Sequence, residues 1–241
     1  MTSDIEAGAA RGSLRVLAAG AVKAVVLEMA GPFEDRTGRR LDVTFDTVGA
    51  LAERVTSGQT ADVAILSAPI LRSLAAQGFG DGEILDLGTT GVGLGGRGGI
   101  VPPPIDTPER FSTLLLEAES IGYADPARGA TAGRHFMSVL ERINLADVLR
   151  PKLRMFSFGV DAVEALGRGE VELAVSQATE ILTHSKVTYL GPFPEPYHLA
   201  TAYGAVALSP SEGARAFLAA LQEPATRAAL RRAGFFEAPP G

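Results

Sequence analysis

The stretch LRVLAAGAVKAVVLEMAGPFEDRTGRRLDVTF, residues 14–45, limits the possible folds more than any other part of the chain. It opens with an apolar run, residues 14–19, that shows no polar alternation, the pattern of a strand covered on both faces. A turn of small residues, Gly20-Ala21-Val22, follows, and then Val22, Val25, Val26, Met29 and Phe33 recur at helical spacing. Gly38 ends that helix and residues 41–45 read as a second strand. The whole is a β-α-β unit whose first strand runs into a helix N-terminus through a small-residue loop. Such an end carries unpaired N–H groups and the positive end of the helix dipole, so a ligand anion is expected to touch the Gly20–Val22 turn. A tight turn with no ligand is the bland alternative for any one such loop.

The same arrangement repeats. Residues 47–58 give a second small-residue turn and a helix, residues 61–67 a third buried strand, and residues 68–76 another helix. Alternating strands and helices with short loops predict a parallel sheet with helices packed on it. Small or hydroxyl residues stand at all three strand C-terminal ends: Gly20 and Ala21; Thr47, Val48 and Gly49; Ser67 and Ala68. Ligands bind at that edge of open parallel sheets. The pattern breaks at GTTGVGLGGRGGIVPPP, residues 88–104, which lacks the Gly-Lys-Ser/Thr of a phosphate loop and the strand-to-helix setting of a dinucleotide fingerprint. Residues 90–97 read as an extended crossing segment, with Arg97 either in the site or solvated at a strand edge, and Pro102–Pro104 as the start of a stiff loop. Beyond it come a helix at 107–117 with Thr107 as cap, a strand at 120–124, and a loop entering a helix near Thr131, flanked by Arg128 and Arg134. Strands at 153–158, 171–176, 187–192 and 199–208, a helix at 160–166, a short helix after Gln177, and helices at 211–221 and 224–232 complete the chain.

Composition removes several function classes. The net charge of -6 and the absence of a Lys/Arg run argue against a nucleic-acid partner. No apolar segment approaches the roughly 18 residues of a membrane span, so no membrane insertion is expected. The chain has no cysteine, and its three histidines, His135, His184 and His198, are too dispersed for a helical zinc pair, so no metal or cofactor is expected. The polar start MTSDIEAGAARGS has no basic segment followed by an apolar one. The expectation is a cytoplasmic protein as written, or a periplasmic one if a leader has been removed.

At this point the order of motifs matches a known pattern. LRVLAAGAV followed by FEDRTGRRLDVTFDTVGALAERVTSGQTADVAILSA resembles the opening of molybdate-type periplasmic solute-binding proteins. YADPARGATAGRHFMSVLERINLADVLRPKL, GRGEVELAVSQATEI and LRRAGF are similar to that family's middle and C-terminal motifs, so the likeness spans nearly the whole chain. The resemblance implies an α/β, two-lobe type 2 periplasmic-binding-protein fold with a ligand cleft between the lobes. Lobe one would comprise residues 12–88 and 195–241, and lobe two residues 89–194. The glycine- and proline-rich break at 88–104 and the prolines at 192, 194 and 196 fall where the crossings belong.

Departures from the family's pattern bear on the ligand. Molybdate-type proteins hold a tetrahedral oxyanion with serine hydroxyls, backbone N–H groups and a tyrosine hydroxyl. Here those positions carry Ala21, then Thr47-Val48-Gly49, and Gln177. A site that loses buried donors loses affinity steeply, which disfavours molybdate. The candidate ligand-binding residues are Gly20, Ala21, Thr47, Val48, Gly49, Ser67, Arg97, Thr131 and Gln177, a mixed donor–acceptor set suited to a carboxylate-bearing organic molecule. The main reading is therefore a binding protein for a small anionic ligand, partnered with an ABC transporter permease if exported. The alternative is a cytoplasmic isomerase of the aconitate-isomerase type, an enzyme of this same broad family, moving a double bond by an allylic proton shift. Glu180, His135 and Tyr123 lie beside predicted ligand loops and are candidate acids or bases, each with a plain structural alternative. A ligand sensor without chemistry is a third reading, and whether the cleft is catalytic stays open.

Overall fold

A computed structural model describes residues 11–81, 83–99 and 104–236 of the chain. β1 (Arg11–Ala19) is buried continuously from Val16 to Ala19, so both of its faces are covered. A 3-10 turn at Gly20–Val22 leads into α1 (Lys23–Thr37), which buries Val25, Val26, Met29 and Phe33. Gly38 stops the helix at φ 65°, a left-handed conformation that a β-carbon disfavours. β2 (Arg39–Asp46), α2 (Val48–Thr56), β3 (Val63–Ser67) and α3 (Ala68–Ala76) repeat the plan. The Thr47 side chain caps α2 by accepting from the Ala50 N–H at 3.3 Å.

The glycine-rich run becomes β4 (Leu85–Arg97), a strand of 13 residues. Its glycines admit neighbouring side chains: a β-carbon on Gly93 would lie 2.4 Å from the Tyr189 ring, and one on Gly95 3.1 Å from Ile181. The proline run expected to open a stiff loop falls largely on residues 100–103, outside the described residues. The chain resumes with α4 (Pro108–Glu117), capped by Thr107 with Pro108 in its first turn, then β5 (Ile121–Ala124) and α5 (Thr131–Arg142). α6 (Ala146–Leu149), too short to leave a periodic signal, was not anticipated. β6 (Leu153–Phe156), α7 (Gly159–Gly167), β7 (Leu173–Gln177), α8 (Ala178–Leu182), β8 (Val187–Pro192), β9 (Ala200–Ala207), α9 (Glu212–Gln222) and α10 (Pro224–Ala233) follow.

Among the described residues nine strands form one sheet in the order β2-β1-β3-β9-β4-β7-β5-β6, with β8 also on β4. β4 ties its two halves together. Residues Leu85 to Gly91 pair antiparallel with β9, while Val92 to Arg97 pair with β7 and β8. Either side of it the sheet is parallel, β1 with β2 and β3, and β5 with β6 and β7. The apolar interior divides accordingly. One core draws on residues 14–87 and 203–235, including Phe33 against Phe217 at 5.5 Å in an edge-to-face pair. The other draws on residues 92–199, around Phe111, Phe136 and Phe193. The architecture is thus two α/β lobes sharing one long strand, with the C-terminal ends of both parallel sets turned toward the gap between them.

Candidate functional site

Every parallel strand except β3 delivers residues to that gap. Ala19, Gly20 and Ala21 follow β1; Asp46, Thr47 and Val48 end β2 and begin α2; Ala124 and Ala130–Ala132 follow β5. Phe158–Asp161 follow β6, Ser176, Gln177 and Glu180 lie at the end of β7 and in α8, and Tyr203 of β9 closes the floor. Together with Lys23 and Phe45 they enclose a cleft of about 270 Å³. A single water needs only about 10–15 Å³ of such space, so the cleft has room for a molecule of several heavy atoms.

Two of the helices that start here, α5 and α7, have no side-chain cap: the residues before them are Ala130 and Phe158, neither of which offers an acceptor. Their first-turn N–H groups are left for whatever occupies the cleft, in the positive end of each helix dipole. The 3-10 turn at Gly20–Val22 likewise lacks a side-chain cap. Among these backbone donors lies Gln177, 5% exposed, with neither its amide oxygen nor its amide nitrogen hydrogen-bonded. A buried amide without partners costs about 1–3 kcal/mol, which makes this side chain a ready acceptor and donor for a ligand. Phe45 and Phe158 supply apolar wall, and the Lys23 ammonium stands 5.7 Å above the Phe45 ring.

Glu180 occupies the seam between the lobes. Its carboxyl accepts from the hydroxyl of Ser176, in β7, and from the Gln177 backbone N–H. A β-carbon at Gly20, in lobe one, would lie 2.6 Å from its Oε1, and one at Gly159, in lobe two, 2.4 Å from its Oε2. Only glycine leaves room for the carboxyl on both sides. The residue keeps some exposure through the cleft, but its carboxyl is closely surrounded by protein. That desolvation raises its pKa, and nearby Asp161 adds to the rise; the Ser176 and Gln177 bonds and Lys23 oppose it without cancelling it. Burial and the Glu180 charge likewise push the Tyr203 phenol upward.

The lobes touch directly across the cleft mouth. The Thr47 hydroxyl donates to the Arg128 carbonyl, and the Arg128 guanidinium reaches Asp46 at 3.3 Å while covering the Phe158 ring at 5.0 Å. Asp46, 7% exposed, is also paired with Arg54 at 3.2 Å. Beside them Gly49 and Gly129 meet backbone to backbone: a β-carbon on Gly49 would lie 2.8 Å from the Gly129 Cα.

Of the residues expected at the ligand, Gly20, Ala21, Thr47, Val48, Thr131 and Gln177 line the cleft. Gly49 lies at the lobe contact instead. Ser67 is buried behind the lining, and Arg97 is exposed at the end of β4, paired with Val187 of β8. Among the candidate acids and bases only Glu180 borders the cleft. His135 lies against the other core, its Nε2 2.7 Å from the Tyr197 carbonyl and its ring stacked on Phe193. Tyr123 is packed on Phe136 at 5.8 Å, with its pKa raised by burial and then by Asp125. Sequence reasoning passed over Lys23, Ser176, Tyr203 and the Phe158–Asp161 segment. The Ser-Phe-Gly turn after β6 and the Ser176/Glu180 spacing were the available signals. Among the described residues no group of three or more His, Cys, Asp or Glu is placed to hold a metal ion.

Comparison with known proteins places the family and the fold. The family model described as bacterial extracellular solute-binding protein matches residues 14–236. An aconitate isomerase from Pseudomonas sp is 29% identical over 226 residues, covering 91% of this chain and 84% of that protein. The periplasmic molybdate-binding protein of Azotobacter vinelandii superposes with a TM-score of 0.74 at 18% identity, covering 94% of this chain and 100% of that one. The sulfate-binding protein of Mycobacterium tuberculosis gives 0.70 at 13% identity, covering 93% and 86%.

Proposed function

Since the chain belongs to the bacterial extracellular solute-binding protein family, we propose that its interlobe cleft receives a small organic carboxylate rather than a tetrahedral oxyanion. The observation that carries this reading is the unpartnered amide of Gln177, set between the uncapped starts of α5 and α7 and the aromatic walls of Phe45 and Phe158. Backbone N–H groups at helix starts suit a carboxylate, and the amide suits a ligand with both a donor and an acceptor. The aromatic walls suit a carbon skeleton, which a symmetrical oxyanion lacks. In this reading Gly20, Ala21, Thr47, Val48, Thr131 and Gln177 contact the ligand, and the lobes close on it through the Thr47–Arg128 contact. An ABC transporter permease is the partner that such a receiver serves, and the periplasm its place of work.

A thermal-shift screen against molybdate, sulfate, succinate, citrate, tricarballylate and trans-aconitate tests the proposal, because a ligand of the native state raises the melting temperature by mass action. Stabilisation by carboxylates alone is expected. A shift with molybdate or sulfate and none with the carboxylates would overturn it.

One observation favours a second reading. Glu180 places a carboxyl with a raised pKa at the seam of the cleft, and the curated relative is named as an aconitate isomerase. A carboxylate in such a cleft can remove a proton from an allylic carbon and return it at the other end of the double bond, with the substrate's charge steadied by helix N–H groups. Deuterium incorporation into trans-aconitate in heavy water, abolished by Glu180→Gln, is the result this reading requires. Binding without exchange leaves the receiver function alone standing.

A further inference from the structure

We propose that the cleft takes up its carboxylate ligand together with one proton, which Glu180 holds and presents to the ligand as a hydrogen-bond donor. This rests on the organic-carboxylate reading above and adds a specificity element to it: the site selects for an anion that can accept from a neutral carboxyl at the lobe seam.

The Glu180 carboxyl is wedged between the Gly20 backbone of lobe one and the Gly159 backbone of lobe two, which set it at the lobe seam beside the cleft. Its neighbours are known from each packed element. Lys23 of α1 and Asp161 of α7 act on it through charge, Tyr203 of β9 faces it, and Ser176 of β7 and the Gln177 N–H bond to it. Among the described residues Lys23 is the one basic side chain of the lining, against the acids Asp46, Asp161 and Glu180. Asp46 is answered by Arg54 and Arg128, whereas Lys23 and Asp161 both act on Glu180, with opposite signs. A ligand carboxylate entering that space adds another negative charge. Two carboxylates sharing a desolvated site do not both remain ionised. The ligand's carboxylate meets the uncapped starts of both α5 and α7, whereas Glu180 has the Ser176 hydroxyl and the single Gln177 N–H at the start of the shorter α8, so the proton goes to Glu180. Burial has already raised this group's pKa, so the proton costs less here than at an exposed carboxyl.

The linkage fixes the sign. Below the pKa of Glu180 in the free protein the proton is already present and binding is independent of pH. Above it, each bound ligand draws a proton from solution, and affinity falls by up to about tenfold per pH unit. Titration calorimetry of tricarballylate, succinate and trans-aconitate, in pairs of buffers with different ionisation enthalpies between about pH 7.5 and 9, reads the proton number of the protein, since a range that high leaves ionised even the last carboxyl of each probe, which its neighbouring charges lift above the usual value near about 4. Uptake approaching one proton per ligand at the alkaline end is expected. Glu180→Gln, an amide of the same shape with a permanent donor, is expected to bind with no proton uptake. Binding by the unaltered protein with no uptake anywhere in the range would overturn the proposal and leave the carboxylate reading intact. Uptake that persists in Glu180→Gln would overturn it too, by placing the proton elsewhere. Failure of all three probes to bind would overturn both.

Discussion

Replacing Gly49 with alanine separates lobe closure from lobe folding. Gly49 lies in the first turn of α2 with no positive φ, so alanine fits its own helix and is favoured there by up to about 1 kcal/mol. The added β-carbon, however, would stand 2.8 Å from the Gly129 Cα of the other lobe, where ordinary contact begins at 3.4 Å. The obstructing atom is backbone, so the lobes themselves must part by about 0.6 Å at this point. Two interactions span the same contact. The Thr47 hydroxyl donates to the Arg128 carbonyl, for which a net of about 0.5–1.5 kcal/mol is typical. Arg128 pairs with Asp46, and with the arginine side chain 40% exposed that pair contributes about 0–1 kcal/mol. Straining both weakens the closed form by about 1–2 kcal/mol, a shift of roughly 5–30-fold toward open molecules. Because the chain has no cysteine, dyes on Ser57→Cys and Met155→Cys, both exposed and on opposite lobes, report the interlobe distance without background. The expected result for Gly49→Ala is a longer mean distance with an unchanged or slightly higher melting temperature. An unchanged distance would refute the reasoning, as would a collapse in melting temperature, which would show that Gly49 serves folding instead.

Other substitutions probe the cleft and the cores. Gln177→Met removes a buried amide that has no partner, so it is expected to raise the stability of the free protein by up to about 1–3 kcal/mol while abolishing the carboxylate-induced thermal shift. A lower melting temperature would show that the amide is satisfied within the protein. Phe33→Ala empties a fully buried site against Phe217 and is expected to cost about 3–5 kcal/mol, read by denaturant unfolding. Glu180 has a folded-state pKa above its unfolded value, so its proton stabilises the native state at low pH, and that contribution is lost as pH rises through the raised pKa. Glu180→Gln is therefore expected to unfold at a higher temperature than the unaltered protein on the alkaline side, with the difference shrinking toward pH 4. A constant offset across pH would dissociate the effect from titration.

The legible parts of this protein are those written in short-range pattern. The unalternating run before Gly20 and the helical spacing from Val22 to Phe33 gave β1 and α1, and Thr107-Pro108 marked the start of α4. Thr47 at its strand end was legible for the same reason, because a cap and a loop are local devices. Arg97 illustrates the limit. A cation in a run of glycines suggests a ligand, yet its place at the end of β4 beside Val187 was set by which residues of β8 and β7 pair with that strand. His135, Tyr123 and Glu180 all stand near predicted loops, and nothing within a few residues of each tells a core ring contact from a place at the seam.

The sequence by itself determined the longer elements, their order and the small residues at the strand ends, since hydrophobic period, turn chemistry and helix caps act over one to four neighbours. Only the tertiary structure decided that Gly20 and Gly159, 139 positions apart, would hold one carboxyl between them, and that Asp46 would meet Arg128. The sharing of β4 between two lobes brings those partners together, and both the desolvation of Glu180 and the isolation of Gln177 are consequences of that closure.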